Sequence, residues 1–260
     1  MNRIKRLFDG LRAEKRCGVV AYVTCGDPTN EATAEIVAEL ERAGADAIEL
    51  GIPFSDPIAD GPVIQAAAQR ALAHGTNTSD VFAIARTIRA ASAIPLIAFS
   101  YINPVMRYGA ERFAVDAAAA GIDGVLITDV PPEAGGELHA TFKAHGLAMV
   151  FLLAPTSSDK RVAAVDRASD GFVYYISTTG VTGARKELDP SLLERLREVR
   201  ARVKKPLAVG FGISRPEHFA VLRGECDAII VGSAIVRAIA DGDPAGAAKR
   251  AGDVVRAILG

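Results

Sequence analysis

Residues Ala47 to Gln65 read AIELGIPFSDPIADGPVIQ. Asp46 to Gly51 is a short, almost wholly apolar run of the kind that forms a buried strand. A proline-punctuated loop follows, and Gly61-Pro62 opens a helical run, proline being suited to a first helical position. One residue does not fit a buried strand: Glu49, a charge that is expensive to bury without a partner.

The strand–loop–helix unit recurs along the chain, and that recurrence decides the fold. Apolar strands are predicted at Gly18–Pro28, Pro95–Tyr101 (PLIAFSY), Gly124–Thr128 (GVLIT), Leu147–Leu153 (LAMVFLL), Gly171–Ser177 (GFVYYIS), Leu207–Phe211 (LAVGF) and Asp227–Val231 (DAIIV), with helical stretches between them. With Asp46–Gly51 this makes eight strand–helix units in a chain of 260 residues, with no Ser-, Gly- or Pro-rich linker to divide it. Apolar strands alternating with helices indicate a parallel sheet covered on both faces. Eight units in this length predict a single (β/α)8 barrel domain over residues 1–260. A doubly wound open sheet would carry a glycine-rich dinucleotide turn after its first strand, and TCGDPTN is not one. Ile4, Leu7, Phe8 and Leu11 fall at helical spacing, so an extra N-terminal helix is expected, placed to plug one end of the barrel. A short extra helix is expected after the eighth strand.

Half the residues are hydrophobic and the net charge is −1 with signs interspersed, which argues against nucleic acid as a partner. No uninterrupted apolar run reaches the length of a membrane span, and the basic opening lacks the apolar stretch of a secretory signal. Cys17, Cys25 and Cys226 are odd in number and lack metal-ligand spacing, so reduced thiols and a cytoplasmic location are expected. Two connections, over 53–93 and 178–190, are longer than a barrel needs, and both follow strand C-termini, the face where barrel enzymes keep their sites.

Strand side chains alternate, so if Ile48 and Leu50 face the helices, Glu49 faces the barrel interior near its mouth. Desolvation there raises a carboxyl pKa toward the range useful for proton transfer. The bland alternative, a structural glutamate paired to a buried arginine, has no arginine in the strand interiors to support it. Asp60 precedes Gly61-Pro62, and spacing leaves a helix N-cap and a catalytic role equally open. Asp27 and Asp56 sit beside prolines, as in turns. His74, His139, His145 and His218 fall in helices or at their ends, and no strand carries an inward lysine, so neither a metal cluster nor a Schiff base is expected. One of Tyr174 and Tyr175 must point inward, as substrate contact or as core filler. After the seventh strand the chain reads GFGIS (210–214), and after the eighth Gly232-Ser233-Ala234. Glycines there let backbone N–H groups and a helix N-terminus approach an anion. Each could be only a tight turn, but together at these two strands they point to a phosphate-bearing substrate.

With these residues in place, the chain resembles the tryptophan synthase alpha chain family. The resemblance is carried by AIELGIPFSDPIADGPVIQ (47–65), AYVTCGDP (21–28), SYINPV (100–105), TDVPPEA (128–134), STTGVTG (177–183) and GFGIS (210–214), in order along essentially the whole chain. It implies a carbon–carbon lyase that splits indole-3-glycerol phosphate into indole and glyceraldehyde 3-phosphate, in tryptophan biosynthesis. By the resemblance, Glu49 and Asp60 are the catalytic pair: Asp60 meets the indole N–H and Glu49 shuttles protons between the ring carbon and the glycerol hydroxyl. It further implies a phosphate site at Gly183, Gly212, Gly232 and Ser233 with Phe211 nearby. Tyr22, Phe99 and Leu126 would wall the indole, Tyr174 would lie near the substrate, and Thr182 would close toward Asp60. Cys25 and Ser100 depart from the Ala and larger apolar residue expected. No cofactor is implied in this chain; pyridoxal phosphate is expected in a partner beta chain, the two assembling as an α2β2 heterotetramer. Phe54, Pro57, Ile58, Pro104, Val105 and Met106, apolar residues on loops, are the interface candidates. Two competing readings are another phosphosugar barrel, such as an isomerase, and a regulatory barrel without chemistry.

Overall fold

The computed structural model describes residues 2–176, 190–210, 212–213 and 215–260. Nine parallel strands form one sheet: β1 (Gly18–Thr24), β2 (Ala47–Gly51), β3 (Leu96–Ser100), β4 (Gly124–Ile127), β5 (Ala148–Val150), β6 (Leu152–Leu153), β7 (Val173–Ile176), β8 (Leu207–Gly210) and β9 (Ala228–Val231). Their order is β5-β4-β3-β2-β1-β9-β8-β7-β6. The two ends of that order, β5 and β6, are pieces of one strand interrupted at Phe151, so the sheet curls back on itself as a barrel. The expected single fifth strand is thus corrected to two pieces. At the break the Phe151 N–H donates to the Ser169 hydroxyl, off the strand ladder, while its carbonyl still accepts from Tyr174.

Alternation divides the core into two layers. Val19, Ala21, Ile48, Leu50, Ala98, Val125 and Ile229 face outward and pack against the helices. Val20, Ala47, Ile97, Leu126, Ala208 and Ala228 face inward. The inward layer is completed by Ile4, Phe8 and Leu11 of the helix Arg3–Glu14, all buried, so the N-terminal helix plugs the barrel as expected. It starts at Asn2, whose side chain accepts from the Ile4 N–H, and stops where Lys15 turns left-handed.

The plugged end is held by four copies of one device. Asp46, Asp123, Asp170 and Asp227 each precede an inner strand and donate their N–H to a carbonyl on a neighbouring segment: Val19, Leu96, Met149 and Leu207. Each carboxylate accepts the N–H of that same residue. Three of them meet arginines, Arg16 for Asp46, Arg3 and Arg89 for Asp123, Arg12 and Arg200 for Asp227, and Asp170 meets the His139 ring. The buried backbone groups and the charges satisfy one another, as burial requires.

Helices Pro62–Ala73 and Thr78–Ala91 fill the long connection after β2. The helix Ile102–Tyr108 was not expected from the sequence, because Pro104 lies inside it; as its third residue, the proline removes an N–H that has no intrahelical partner. The short helix after the last strand is Ser233–Ala240, followed by Ala247–Leu259. No described helix is long and apolar enough to cross a membrane.

Candidate active site

At the end opposite the plug, a cavity is lined by residues from the C-terminal ends of several strands. Tyr22, Glu49, Phe99, Leu152, Tyr174 and Ile230 rise from the strands; Asp60, Gly61, Thr128, Gly212, Gly232 and Ser233 come from the loops and helix starts above them.

Glu49 is inward and fully buried. Its neighbours Ile48 and Leu50 face the helices, as alternation along β2 dictates. Neither carboxyl oxygen has a hydrogen-bond partner among the described residues, so the paired structural glutamate is excluded there. Leaving such a group unsatisfied costs about 1–3 kcal/mol, which a merely structural residue would not sustain. Burial pushes its pKa from 4.5 up to about 8.

Asp60 ends the loop that follows β2. It is not the cap of the next helix: that position is Gly61, with no side-chain cap, and Pro62 begins the helix. Instead the Tyr101 hydroxyl donates to Asp60 Oδ2 at 2.9 Å, and the Ala59 N–H donates to the same hydroxyl at 3.0 Å. Gln65 Nε2 donates to the Asp60 carbonyl at 2.8 Å and fixes the backbone. Burial raises the Asp60 pKa from 3.8 to about 6, with the Tyr101 hydrogen bond pulling the other way. Two carboxyls in one cavity therefore titrate at different pH values, a pattern that separates acid from base.

Tyr22 and Phe99 meet edge to face with centroids 5.2 Å apart. A Cβ on Gly51 would lie 2.2 Å from the Tyr22 hydroxyl, so glycine is what lets the ring lie back against β2. Burial raises the Tyr22 and Tyr174 hydroxyls well above their ordinary range, so both stay neutral donors. Tyr174 is the inward member of its pair; Tyr175 packs outward against the helices. Leu126 belongs to the buried inner layer and is not among the cavity-lining side chains. Cys25 and Ser100 are buried and do not line it either, so their departures from the expected types lie away from the cavity.

After β8, Gly212 has φ +61°, a conformation glycine adopts without strain. Gly232 precedes the helix Ser233–Ala240, whose first turn carries no acidic residue. The first N–H groups of a helix and the positive end of its dipole suit such a terminus to an anion. Of the residues expected at the phosphate, Gly212, Gly232 and Ser233 line the cavity, while Gly183 and Phe211 lie outside the described residues, as does Thr182, expected to close toward Asp60. No cluster of His, Cys, Asp and Glu able to hold a metal occurs among the described residues.

Asp27 stands in a turn as expected, its N–H donating to the Thr24 carbonyl, and its buried carboxylate also receives Arg70 Nε and a terminal nitrogen at 2.8 Å each. One expectation is corrected. Among the interface candidates, Val105 is fully buried in the helix-facing core, pulled inward by the unforeseen helix that carries it. Ile58 and Met106 are exposed, 84% and 58%, and Phe54, Pro57 and Pro104 are half-buried. Tyr101 was legible only as a tyrosine near a strand end; nothing in its spacing pairs it with Asp60, 41 residues away.

A family model described as tryptophan synthase alpha chain matches residues 8–257. A tryptophan synthase alpha chain from Solibacter usitatus is 54% identical over 239 residues, 92% of this chain and 90% of that one. Among solved structures, tryptophan synthase subunit alpha from Legionella pneumophila superposes with a TM-score of 0.92 at 36% identity, covering 99% of this chain and 97% of the other. A chain from the tryptophan synthase a2b2 complex of Pyrococcus furiosus gives 0.88 at 37% identity, over 93% of this chain and 97% of that one.

Proposed function

The chain belongs to the tryptophan synthase alpha chain family, and from that premise we propose that Glu49 and Asp60 are the carboxyls with which it cleaves indole-3-glycerol phosphate. The family's reaction gives indole and glyceraldehyde 3-phosphate by a retro-aldol step. The observation that carries the assignment is Glu49: fully buried, unpartnered among the described residues, and facing the cavity that also holds Asp60.

Between about pH 6 and about 8 Asp60 is ionised and Glu49 is protonated. Asp60 then accepts the indole N–H and stabilises positive charge arising on that nitrogen. Glu49 donates its proton to the ring carbon that bears the glycerol chain, and the ring becomes the electron sink. The carbon–carbon bond breaks, its electron pair restoring the aromatic ring. The hydroxyl on the departing carbon loses its proton to the Glu49 carboxylate and becomes the aldehyde. Glu49 ends protonated, as it began. The phosphate is held at Gly212 and at Gly232 and Ser233 with the helix these last two open; Gly183 and Phe211 complete the set on the family pattern. Tyr22, Phe99 and Tyr174 shape the slot for the ring, Leu126 packs in the layer beneath it, and Thr182 closes it.

The same reading makes residues 1–260 one barrel domain and gives it a beta chain partner in an α2β2 assembly in the cytoplasm, with pyridoxal phosphate on the partner. No lysine lines the cavity among the described residues, consistent with a Schiff base belonging elsewhere. Exposed Ile58 and Met106, beside half-buried Phe54 and Pro104, supply an apolar surface for that contact. The test is direct: purified chain is mixed with indole-3-glycerol phosphate and indole is followed. Release of indole is expected; its absence with and without a beta chain overturns the reading.

A further inference from the structure

We infer that Tyr101 is a positioning residue for the cleavage, fixing one oxygen of Asp60 so that the other is presented to the ring N–H. The inference rests on the role proposed for Asp60 above. Tyr101 is buried but does not line the cavity, so it acts through Asp60 rather than on a ligand. Its hydroxyl is used twice: it accepts the Ala59 N–H at 3.0 Å and donates to Asp60 Oδ2 at 2.9 Å. With its acceptor side occupied by an N–H, the phenol proton is directed at the carboxylate. The ring cannot drift, because it packs on Phe54 with centroids 5.3 Å apart and an interplanar angle of 35°. Its backbone begins the helix Ile102–Tyr108, whose first N–H is held by Asp129.

A carboxylate held at one oxygen has a fixed plane, which leaves the lone pairs of Oδ1 for a donor in the cavity. Among the described residues Tyr101 is the one side chain that donates to the Asp60 carboxylate. The other titratable groups facing Asp60 are Glu49, Tyr22 and Tyr174, and no lysine, arginine or histidine lines the cavity with them. Tyr101 therefore also keeps Asp60 ionised at neutral pH against the upward push of burial.

The experiment is the pH profile of kcat/KM for indole-3-glycerol phosphate in wild type, Y101F and a protein with 3-fluorotyrosine at position 101. In Y101F, kcat/KM falls roughly 10- to 100-fold, the loss expected for a hydrogen bond to a charged group. Its acid limb moves up by about one pH unit. Fluorination makes the phenol a stronger donor without altering its packing, so the acid limb moves down instead. Opposite shifts support the inference, and a purely structural tyrosine moves neither limb. If Y101F does not fold, the fluorinated protein decides alone: an unmoved limb overturns the inference. Asp60→Asn separates the two readings. If D60N cleaves normally, the role proposed for Asp60 fails; if D60N is inactive while both limbs stay at the wild-type position, only the role of Tyr101 fails.

Discussion

The two ends of the barrel treat buried carboxylates in opposite ways. At the plugged end Asp123 and Asp227 are almost wholly buried, yet each accepts a backbone N–H and faces two arginines. At the open end Glu49 is as deeply buried and, among the described residues, has no partner, and Asp60 has one neutral tyrosine. The same side-chain chemistry under similar burial is satisfied at one end and left wanting at the other. The difference is what the proposed roles of Glu49 and Asp60 rest on: stability accounts for the first set and not for the second.

The comparison breaks most visibly at Glu49. Glu49→Gln keeps the shape and removes the transferable proton, so indole release falls roughly 10³-fold while substrate binding persists. Single-turnover assays alongside equilibrium binding would check this; near-normal turnover would remove Glu49 from the chemistry. Stability responds in the other direction. Folded Glu49 holds its proton to about pH 8, whereas the unfolded group releases it near 4.5. Folding therefore takes up a proton in that window, and stability declines as pH rises through it. Denaturant titrations at several pH values should show that slope in wild type and its reduction in E49Q.

The next effect is on rate. On the roles proposed for the two carboxyls, cleavage needs Asp60 ionised and Glu49 protonated, so kcat/KM should rise about tenfold per pH unit up to about 6 and decline above about 8. A profile still climbing beyond pH 9 would show that no acid with a pKa near 8 is needed and would remove Glu49 as the proton donor. Removing Asp60 as D60N should abolish the acid limb along with most of the activity.

At the plugged end the expected loss is in stability alone. Asp227→Asn leaves Arg12 and Arg200 without their carboxylate; both are partly exposed, 42% and 36%, so water compensates in part. A destabilisation of about 2 kcal/mol is expected, with indole release per folded molecule unchanged.

How these ends differ in legibility follows from range of interaction. Glu49 was readable because strand alternation is local, and the barrel was readable because eight apolar runs repeat. Phe151 was not, since its N–H leaves the ladder for a serine 18 residues away. Spacing left the cap open for Asp60 because its actual partner, Tyr101, lies on another strand end. The plugged-end device did leave a local trace that went unread: Asp46-Ala47, Asp123-Gly124, Asp170-Gly171 and Asp227-Ala228 each place a small residue after the aspartate. At Gly124 and Gly171 a Cβ would lie 2.7 and 2.8 Å from Ile4, so the small residue admits the plugging helix.

Asp27 is the case that sharpens the comparison. It stands at the C-terminal end of β1, on the open side, yet it is paired in the manner of the other end, with Arg70 Nε and a terminal nitrogen at 2.8 Å each. If pairing rather than location separates structure from chemistry, Asp27 belongs with the stabilising set. Arg70→Met would then cost about 1 kcal/mol, a modest figure because Arg70 is 40% exposed and solvent already screens the pair. Cleavage per folded molecule would be unchanged. Equilibrium unfolding and steady-state kinetics on the one variant decide between the criteria. A variant of normal stability that no longer releases indole would place Asp27 with Glu49 and Asp60, and location would then be the better guide.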